Sequence, residues 1–187
     1  MPDSAPARRS DAARNRERIL DTARTAFTET DGAVSMAEIA RRSGVGSATL
    51  YRNFATRREL LEALYVDEVD AVCAAAATVE GEGAGDRLVA WLRRFAGYAT
   101  SKRHVAVDLL AHTDRTDSVF VASRERVLAA GAPLLAAAQQ DGEVSAALGL
   151  DQLLDLVVAI AKIPGDPAYR EPLLELALTG LRRSPGS

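Results

Sequence analysis

Residues 43–54 read SGVGSATLYRNF. The stretch begins with a turn that holds Gly44 and Gly46, and it continues as a short helix that is rich in aromatic and hydroxyl residues. A short helix is also expected before the turn, because Ser35 and Glu38 have the S-x-x-E spacing of a helix N-terminal capping box. Two short helices joined by a glycine-containing turn of three or four residues are typical of a helix-turn-helix motif.

The second helix of this motif is predicted to have one apolar and one polar side. Leu50 and Phe54 are four residues apart, so they lie on the same side of the helix and are expected in the core. The remaining residues are small near the start of the helix and polar farther along, which suits a helix that enters the major groove of DNA. Hydroxyl groups suit phosphates, and arginine and asparagine suit phosphates or base edges. These outward-facing residues are Ser47, Ala48, Thr49, Tyr51, Arg52 and Asn53.

The rest of the chain has the composition of a helical globular protein. Of its 187 residues, 48% are hydrophobic and 26% are charged, which is typical of a folded domain. Apolar residues recur at spacings of three and four, and the alternation typical of strands is missing. The predicted helices cover about 11–30, 35–43, 47–54, 56–79, 86–101, 103–112, 117–139, 150–162 and 171–183. The sequence therefore predicts an all-α protein of about nine helices.

Charge is distributed unevenly along the chain. Residues 1–60 carry 11 basic and 8 acidic residues, a net charge of +3, whereas residues 61–187 carry 12 basic and 18 acidic residues, a net charge of −6. A basic N-terminal part favours a polyanionic partner such as DNA. Four arginines of this part either follow the DNA backbone, enter a minor groove or belong to a solvated tail: Arg8, Arg9, Arg14 and Arg16.

Signatures of several other protein classes are missing from the sequence. No G-x-S-x-G, H-E-x-x-H, P-loop or C-x-x-C pattern occurs, so we predict no catalytic residue, cofactor or metal site. The G-x-G-x-G spacing at 81–85 follows no strand and is interpreted as a linker. The single cysteine, Cys73, excludes an internal disulfide and favours a reducing cytoplasm. No apolar run approaches the roughly 20 residues of a membrane span.

A small-molecule pocket is predicted from two sets of residues on neighbouring helices. Three aromatic residues share one helix face, where a plain core role is the simpler interpretation, and three polar residues follow at intervals of four. The two histidines lie about 12 Å apart along their helix at 1.5 Å per residue, too far to hold one metal ion together. The two sets are Trp91, Phe95 and Tyr98, and His104, Asp108 and His112.

Residues 35–60, SMAEIARRSGVGSATLYRNFATRREL, resemble the DNA-binding domain of the TetR family of transcriptional repressors, and 16–32, RERILDTARTAFTETDG, are similar to that family's first helix. The resemblance covers about 14–65. It implies a homodimer whose N-terminal three-helix domain binds a palindromic operator, and whose C-terminal domain binds a small effector that releases the DNA. The positions that the resemblance assigns to DNA contacts are Ser35, Ser47, Thr49, Tyr51, Arg52, Asn53 and Arg57. We add Ala48 to this set of expected contact residues.

We therefore expect three regions: a flexible basic arm over 1–10, a helix-turn-helix DNA-binding domain over 11–55, and a ligand-binding and dimerisation domain over 56–187. The last two helices have broader apolar faces than one packing surface needs, so they are expected to pair with their two-fold mates, with Leu178 in the interface.

The predicted function is a cytoplasmic, ligand-responsive regulator, most simply a repressor that a small molecule releases from operator DNA. The acidic C-terminal part favours an apolar or weakly basic effector. The alternatives are a regulator of the same fold without an effector, a helical small-molecule or metal-sensing module without DNA function, and an all-α enzyme that uses His104 or His112.

Overall fold

The computed structural model describes residues 5–30, 34–110 and 118–182, with side chains for 11–30, 34–100 and 119–182. These residues form helices and no β-strand apart from one isolated bridge between Val144 and Arg182. The helices are α1 (Ala5–Glu29), α2 (Met36–Ser43), α3 (Ser47–Asn53), α4 (Arg57–Ala76), α5 (Ala84–Leu110), α6 (Ser118–Gln140), α7 (Leu150–Lys162) and α8 (Pro167–Gly180). The predicted all-α fold is confirmed. None of the helices in this part of the chain combines the length and apolarity that crossing a bilayer requires.

Two helix boundaries differ from the prediction because local signals were misread. The predicted break near Lys102 is wrong, since α5 runs continuously from Ala84 to Leu110 and no glycine or proline stands at the expected break. The described chain therefore has eight helices rather than nine. Helix α8 begins at Pro167 rather than near 171, because the Asp166 side chain accepts a hydrogen bond from the Tyr169 N–H at 2.9 Å and proline suits the first helical position.

The start of α1 also differs from the prediction. The backbone is helical from Ala5, whereas 1–10 were expected to form a flexible arm. Pro6 stands in the first turn, where proline is tolerated, and the alanines and arginines that follow are good helix formers. Residues 1–4 lie outside the described residues, as do the side chains of Arg8 and Arg9.

The chain folds as two compact units. The first contains α1–α3, the part of α4 up to Tyr65, and the part of α5 from His104 onward. The second contains the rest of α4 and α5, together with α6–α8. The predicted inner face of α1 is buried in the first unit, with Ile19, Ala23 and Phe27 at most 1% exposed.

Trp91 lies at the centre of the second unit. It is fully buried, and its indole N–H donates a hydrogen bond of 3.0 Å to the carbonyl of Val72 on α4. Gly131 on α6 lies against the indole ring so closely that a Cβ atom at this position would overlap the ring. Gly131 and Pro133 were expected to kink or divide the helix over 117–139, but α6 continues through both residues. The glycine is needed here for a close approach between α5 and α6.

The glycine-rich stretch at 81–85 receives a side chain from elsewhere in the second unit. The Gly85 N–H donates a hydrogen bond of 3.0 Å to the Glu143 carboxylate. A Cβ atom at Gly83 would lie 2.7 Å from one oxygen of that carboxylate. The glycine-rich linker therefore also binds the Glu143 carboxylate at the start of α5, where an anion interacts favourably with the helix dipole.

The turn between α2 and α3 depends on one left-handed residue. Gly44 has φ 66° and ψ 18°, and its N–H donates to the Arg41 carbonyl at 3.3 Å, which ends α2. Gly46 has the ordinary extended values of φ −65° and ψ 147° and precedes α3 as its N-cap. No atom lies within 4 Å of a Cβ atom placed at either glycine. Gly44 is therefore required for its backbone conformation, whereas Gly46 is not.

We predict opposite effects of Gly131→Ala and Gly97→Ala on stability. Both glycines lie inside helices, where alanine is favoured by up to about 1 kcal/mol. A Cβ atom at Gly97 would meet no atom within 4 Å, whereas one at Gly131 would overlap Trp91. Gly97→Ala should raise the free energy of unfolding, and Gly131→Ala should lower it by about 1–3 kcal/mol. Urea unfolding followed by circular dichroism measures both. Equal stability of the two variants would contradict the packing described for Trp91.

We also predict that Gly44→Ala destabilises the first unit while Gly46→Ser does not. An L-residue at positive φ costs about 1–2 kcal/mol. Serine at the N-cap of α3 adds a side-chain acceptor that glycine lacks. Thermal unfolding of the full-length chain compares the stability of the two variants. Hydrogen exchange of the α2 and α3 amides shows where in the chain the stability has changed. A Gly44→Ala variant as stable as the parent chain would show that the turn does not need this conformation.

Candidate nucleic-acid interface

Helix α2 is held by carboxylate–arginine bonds. The Ser35 hydroxyl accepts a hydrogen bond from the Glu38 N–H at 3.2 Å, which is one half of the predicted capping box. The Glu38 carboxylate is turned to the other side, where it binds Arg41 at 2.7 Å and Arg42 at 2.7 Å. Hydrogen bonds from Arg41 and then Arg42 lower the pKa of Glu38 to about 2. Arg42 also binds Glu29 at 2.6 Å and so joins α2 to α1.

Helix α3 exposes the side that the sequence predicted. Leu50 and Phe54 are at most 1% exposed and pack in the first unit. Tyr51 is 50% exposed, an unusual position for a large aromatic side chain. Of the other predicted contact residues, Ser47, Ala48 and Arg52 are exposed, and Thr49 and Asn53 are half-buried. Ser35 is exposed just before α2.

The polar side chains of α3 bind their own helix. Arg52 donates from Nε to the Ala48 carbonyl at 3.2 Å and from its guanidinium to the Thr49 hydroxyl at 3.1 Å. The Asn53 amide donates to the Thr49 carbonyl at 2.8 Å. All the acceptors are uncharged, so a phosphate or a guanine edge is a stronger acceptor for the arginine than its present partners are.

Two arginines around the motif have partners within the protein. The Arg57 guanidinium donates to the Val34 carbonyl and lies 4.9 Å from the centroid of the Phe27 ring. The family resemblance placed Arg57 among the DNA-facing positions, and these contacts supply a structural reason for a cation at this helix start. The Arg16 guanidinium lies 4.5 Å from the centroid of the Phe54 ring. Both contacts have the geometry of cation–π interactions and connect separate elements of the first unit.

The sequence analysis did not identify Arg42, and it assigned Arg16 to DNA or to a solvated tail rather than to its contact with Phe54. Arg42 follows Glu38 by four residues, so the spacing of a helical ion pair was visible. Its bond to Glu29 joins residues 13 positions apart on different helices, and no sequence spacing indicates that contact. The same holds for Arg16 and Phe54.

The residues of the predicted effector pocket are described only in part. Trp91 and Phe95 are stacked with ring centroids 6.2 Å apart, and Phe95 and Tyr98 follow at 5.6 Å. The first two are buried and Tyr98 is half-buried, so the three form a continuous aromatic row along α5. The backbone of His104 and Asp108 belongs to α5, but their side chains lie outside the described residues, as does all of His112. The pocket stays a prediction.

Comparisons with known proteins place both parts of the chain in one family. Residues 19–64 match the profile described as bacterial regulatory proteins, tetR family, and residues 83–183 match the profile of the SbtR-like transcriptional regulator C-terminal domain. None of the curated proteins compared with the chain matches it.

Two solved structures are similar over nearly the whole chain. The TetR transcriptional regulator SCO0520 from Streptomyces coelicolor is 36% identical, with a TM-score of 0.75, and the match covers 91% of this chain and 99% of that chain. The TetR transcription regulatory protein from Mycobacterium vanbaalenii is 32% identical with the same TM-score of 0.75, covering 94% of this chain and 99% of that chain. With a helix-turn-helix at one end and matching profiles over both parts, the chain belongs to the TetR family of transcriptional regulators.

Proposed function

We propose that the protein represses transcription as a homodimer that binds a palindromic operator through α3 and leaves it when a small molecule binds the second unit. The observation that carries the proposal is the exposed side of α3, where a half-exposed Tyr51 stands beside Arg52, whose partners among the described residues are uncharged. Membership of a family of transcriptional regulators supports the same conclusion.

The proposed contacts with DNA divide into two kinds. The Tyr51 hydroxyl is suited to a phosphate and therefore to positioning the motif on any duplex. Arg52 is suited to a base edge, because it can exchange its bonds to the Ala48 carbonyl and the Thr49 hydroxyl for a pair of bonds to guanine. Ser47 and Ala48 are small and exposed, so they allow the start of α3 to enter the groove.

The proposed dimer uses the exposed apolar residues of α7 and α8. Leu156 is 41% exposed and Leu176 is 73% exposed, and Tyr169 and Leu173 extend the exposed surface of α8. Leu178, which the sequence analysis placed in the interface, is 1% exposed and packs inside its own chain. Leu176 is therefore the better residue for testing assembly.

The proposed coupling between effector and operator runs through α4. This helix starts beside the motif at Arg57 and ends in the second unit at Ala76. In the second unit its Val72 carbonyl accepts the hydrogen bond of the Trp91 indole. A ligand that displaces the aromatic row would therefore also displace α4 through this hydrogen bond. Recognition helices must stand about 34–36 Å apart to occupy successive major grooves, so a small displacement costs operator affinity. By linkage, the operator lowers effector affinity by the same factor.

The experiment that tests the proposal is selection of genomic fragments bound by the purified protein. A palindromic site that the protein binds in a salt-dependent manner supports it. Recovery of no sequence above random would contradict operator binding and favour a sensor module without DNA function.

We predict that Tyr51→Phe weakens binding to operator and to random duplex by the same factor, because loss of a phosphate contact carries no sequence information. Arg52→Ala should cost about 1–3 kcal/mol more on operator than on random DNA. Arg94→Ala, which removes an exposed arginine from α5, is the matched control for charge. Fluorescence anisotropy at a fixed salt concentration measures all three. Equal losses on both DNAs for Arg52→Ala would place this residue on the backbone instead.

We predict that Leu176→Glu yields a monomer that binds operator weakly, because a carboxylate cannot be buried without a partner in an apolar interface. Val121→Glu is the matched control, since Val121 is also exposed, at 48%, but lies on α6. Sedimentation velocity gives the assembly state of each variant. An intact Leu176→Glu dimer would show that α8 does not form the interface.

A further inference from the structure

The second unit contains a groove that shares no residue with the predicted aromatic pocket. It lies between α5, α7 and α8 and has a volume of about 400 Å³, which is within the range of small-molecule sites. Its walls are mostly apolar, with Ala96 and Gly97 from α5, Val157 and Ile160 from α7, and Leu174 from α8. Arg170 of α8 also lines it.

Gly97 leaves the α5 wall of the groove open. Glycine is less favourable than alanine inside a helix, and a close contact usually explains its presence there. Gly131 has such a contact, because a Cβ atom would overlap Trp91. Gly97 has none, since a Cβ atom would meet nothing within 4 Å. The missing side chain at Gly97 therefore creates space in the groove and does not serve packing.

Arg170 gives the groove a positive charge, and among the described residues no carboxylate forms an ion pair with it. Its half-buried guanidinium donates to the carbonyls of Ile163 at 3.3 Å and Gly165 at 2.5 Å, both in the segment between α7 and α8. In the described part of the chain it makes no ion pair. These carbonyls hold the side chain in place and leave its charge available to an anion.

The other charged groups at the groove oppose an anion only weakly. Arg93 binds Glu175 through two hydrogen bonds of 2.8 and 2.7 Å, so this pair adds no net charge. The same bonds lower the pKa of Glu175 and raise that of Arg93, which keeps both ionised. Glu171 lies at the exposed rim, where solvent and salt screen its charge.

We propose that this groove binds a small molecule that has an apolar body and one anionic group, with the body over Gly97 and Ile160 and the anionic group on Arg170. The net acidity of 61–187 favoured an apolar or weakly basic ligand, but Arg170 lines the groove itself, whereas Glu171 is the one acid among its described lining residues. The inference rests on the proposed function only for its effect on DNA. Binding in the groove is independent of it.

Two naphthyl probes of matched shape test the proposal on the full-length protein without DNA. One is 8-anilinonaphthalene-1-sulfonate, and the other is N-phenyl-1-naphthylamine, which has the same aromatic body and no anionic group. Three variants are compared by fluorescence titration: Gly97→Leu fills the groove, Ala129→Leu adds the same side chain at an exposed position of α6, and Arg170→Gln removes the charge but keeps a donor for the carbonyls.

We expect Gly97→Leu to weaken both probes by roughly tenfold or more, and Ala129→Leu to leave both unchanged. Arg170→Gln should weaken the sulfonate by about tenfold and change the neutral probe by less than about twofold. Unchanged binding to Gly97→Leu would overturn the proposal, and so would equal losses of both probes in Arg170→Gln. If circular dichroism shows that Gly97→Leu does not fold, the two probes on Arg170→Gln decide alone.

Addition of operator DNA separates this inference from the proposed function. Release of the operator at saturating sulfonate probe supports regulation through the groove. Groove binding with unchanged operator affinity would contradict an effector role for this site while the binding result stands. A chain that binds the probes as expected and selects no operator would contradict the proposed function alone.

Discussion

The positive φ of Gly44 is the constraint on which the presentation of α3 depends. A residue in the left-handed region ends α2 and turns the chain within three residues, and glycine adopts that region without steric cost. The orientation of the motif is then held by side chains that do not touch α3. Glu38 binds Arg42, and Arg42 reaches Glu29 on α1. Because α2 is held in this way, Leu50 and Phe54 suffice to bury this segment, and Ala48, Tyr51 and Arg52 remain exposed.

The arginines near the motif do not contribute equally to a DNA surface. Arg41 and Arg42 share the Glu38 carboxylate, and Arg57 binds Val34. A basic residue paired with a carboxylate gains less from a phosphate, because its present partner must be displaced or left nearby. The 11 basic residues over 1–60 therefore overstate the number of available phosphate contacts. Recognition by this motif must depend more on fit and on the few side chains of α3 than on charge.

Local signals explain how much of the fold was predictable. The predicted capping residue Ser35 does accept the hydrogen bond expected of it, and Thr56 accepts the same kind of bond from the Glu59 N–H at the start of α4. The missed start of α8 was also visible, because Asp166 precedes a proline. Contacts between distant segments had no such signal. The partner of Arg57 lies 23 residues earlier, and the groove combines three helices that only the fold brings together. The polar side of α3 could be predicted from spacing, whereas the groove could not.

Helix α5 contributes to the second unit through two opposite faces. Trp91 and Phe95 lie on one face, where the Trp91 indole binds Val72 and Gly131 fits against its ring. At 100° per residue, Ala96 and Gly97 point 140° or 120° away from Trp91, toward the groove. The face with Trp91 is therefore closely packed and hydrogen-bonded to α4, whereas the face with Gly97 is open to the groove. A ligand in the groove would contact Ala96 and Gly97 but not Trp91, whereas a ligand among the aromatic residues would contact the indole directly. The emission of the single tryptophan thus distinguishes the two locations.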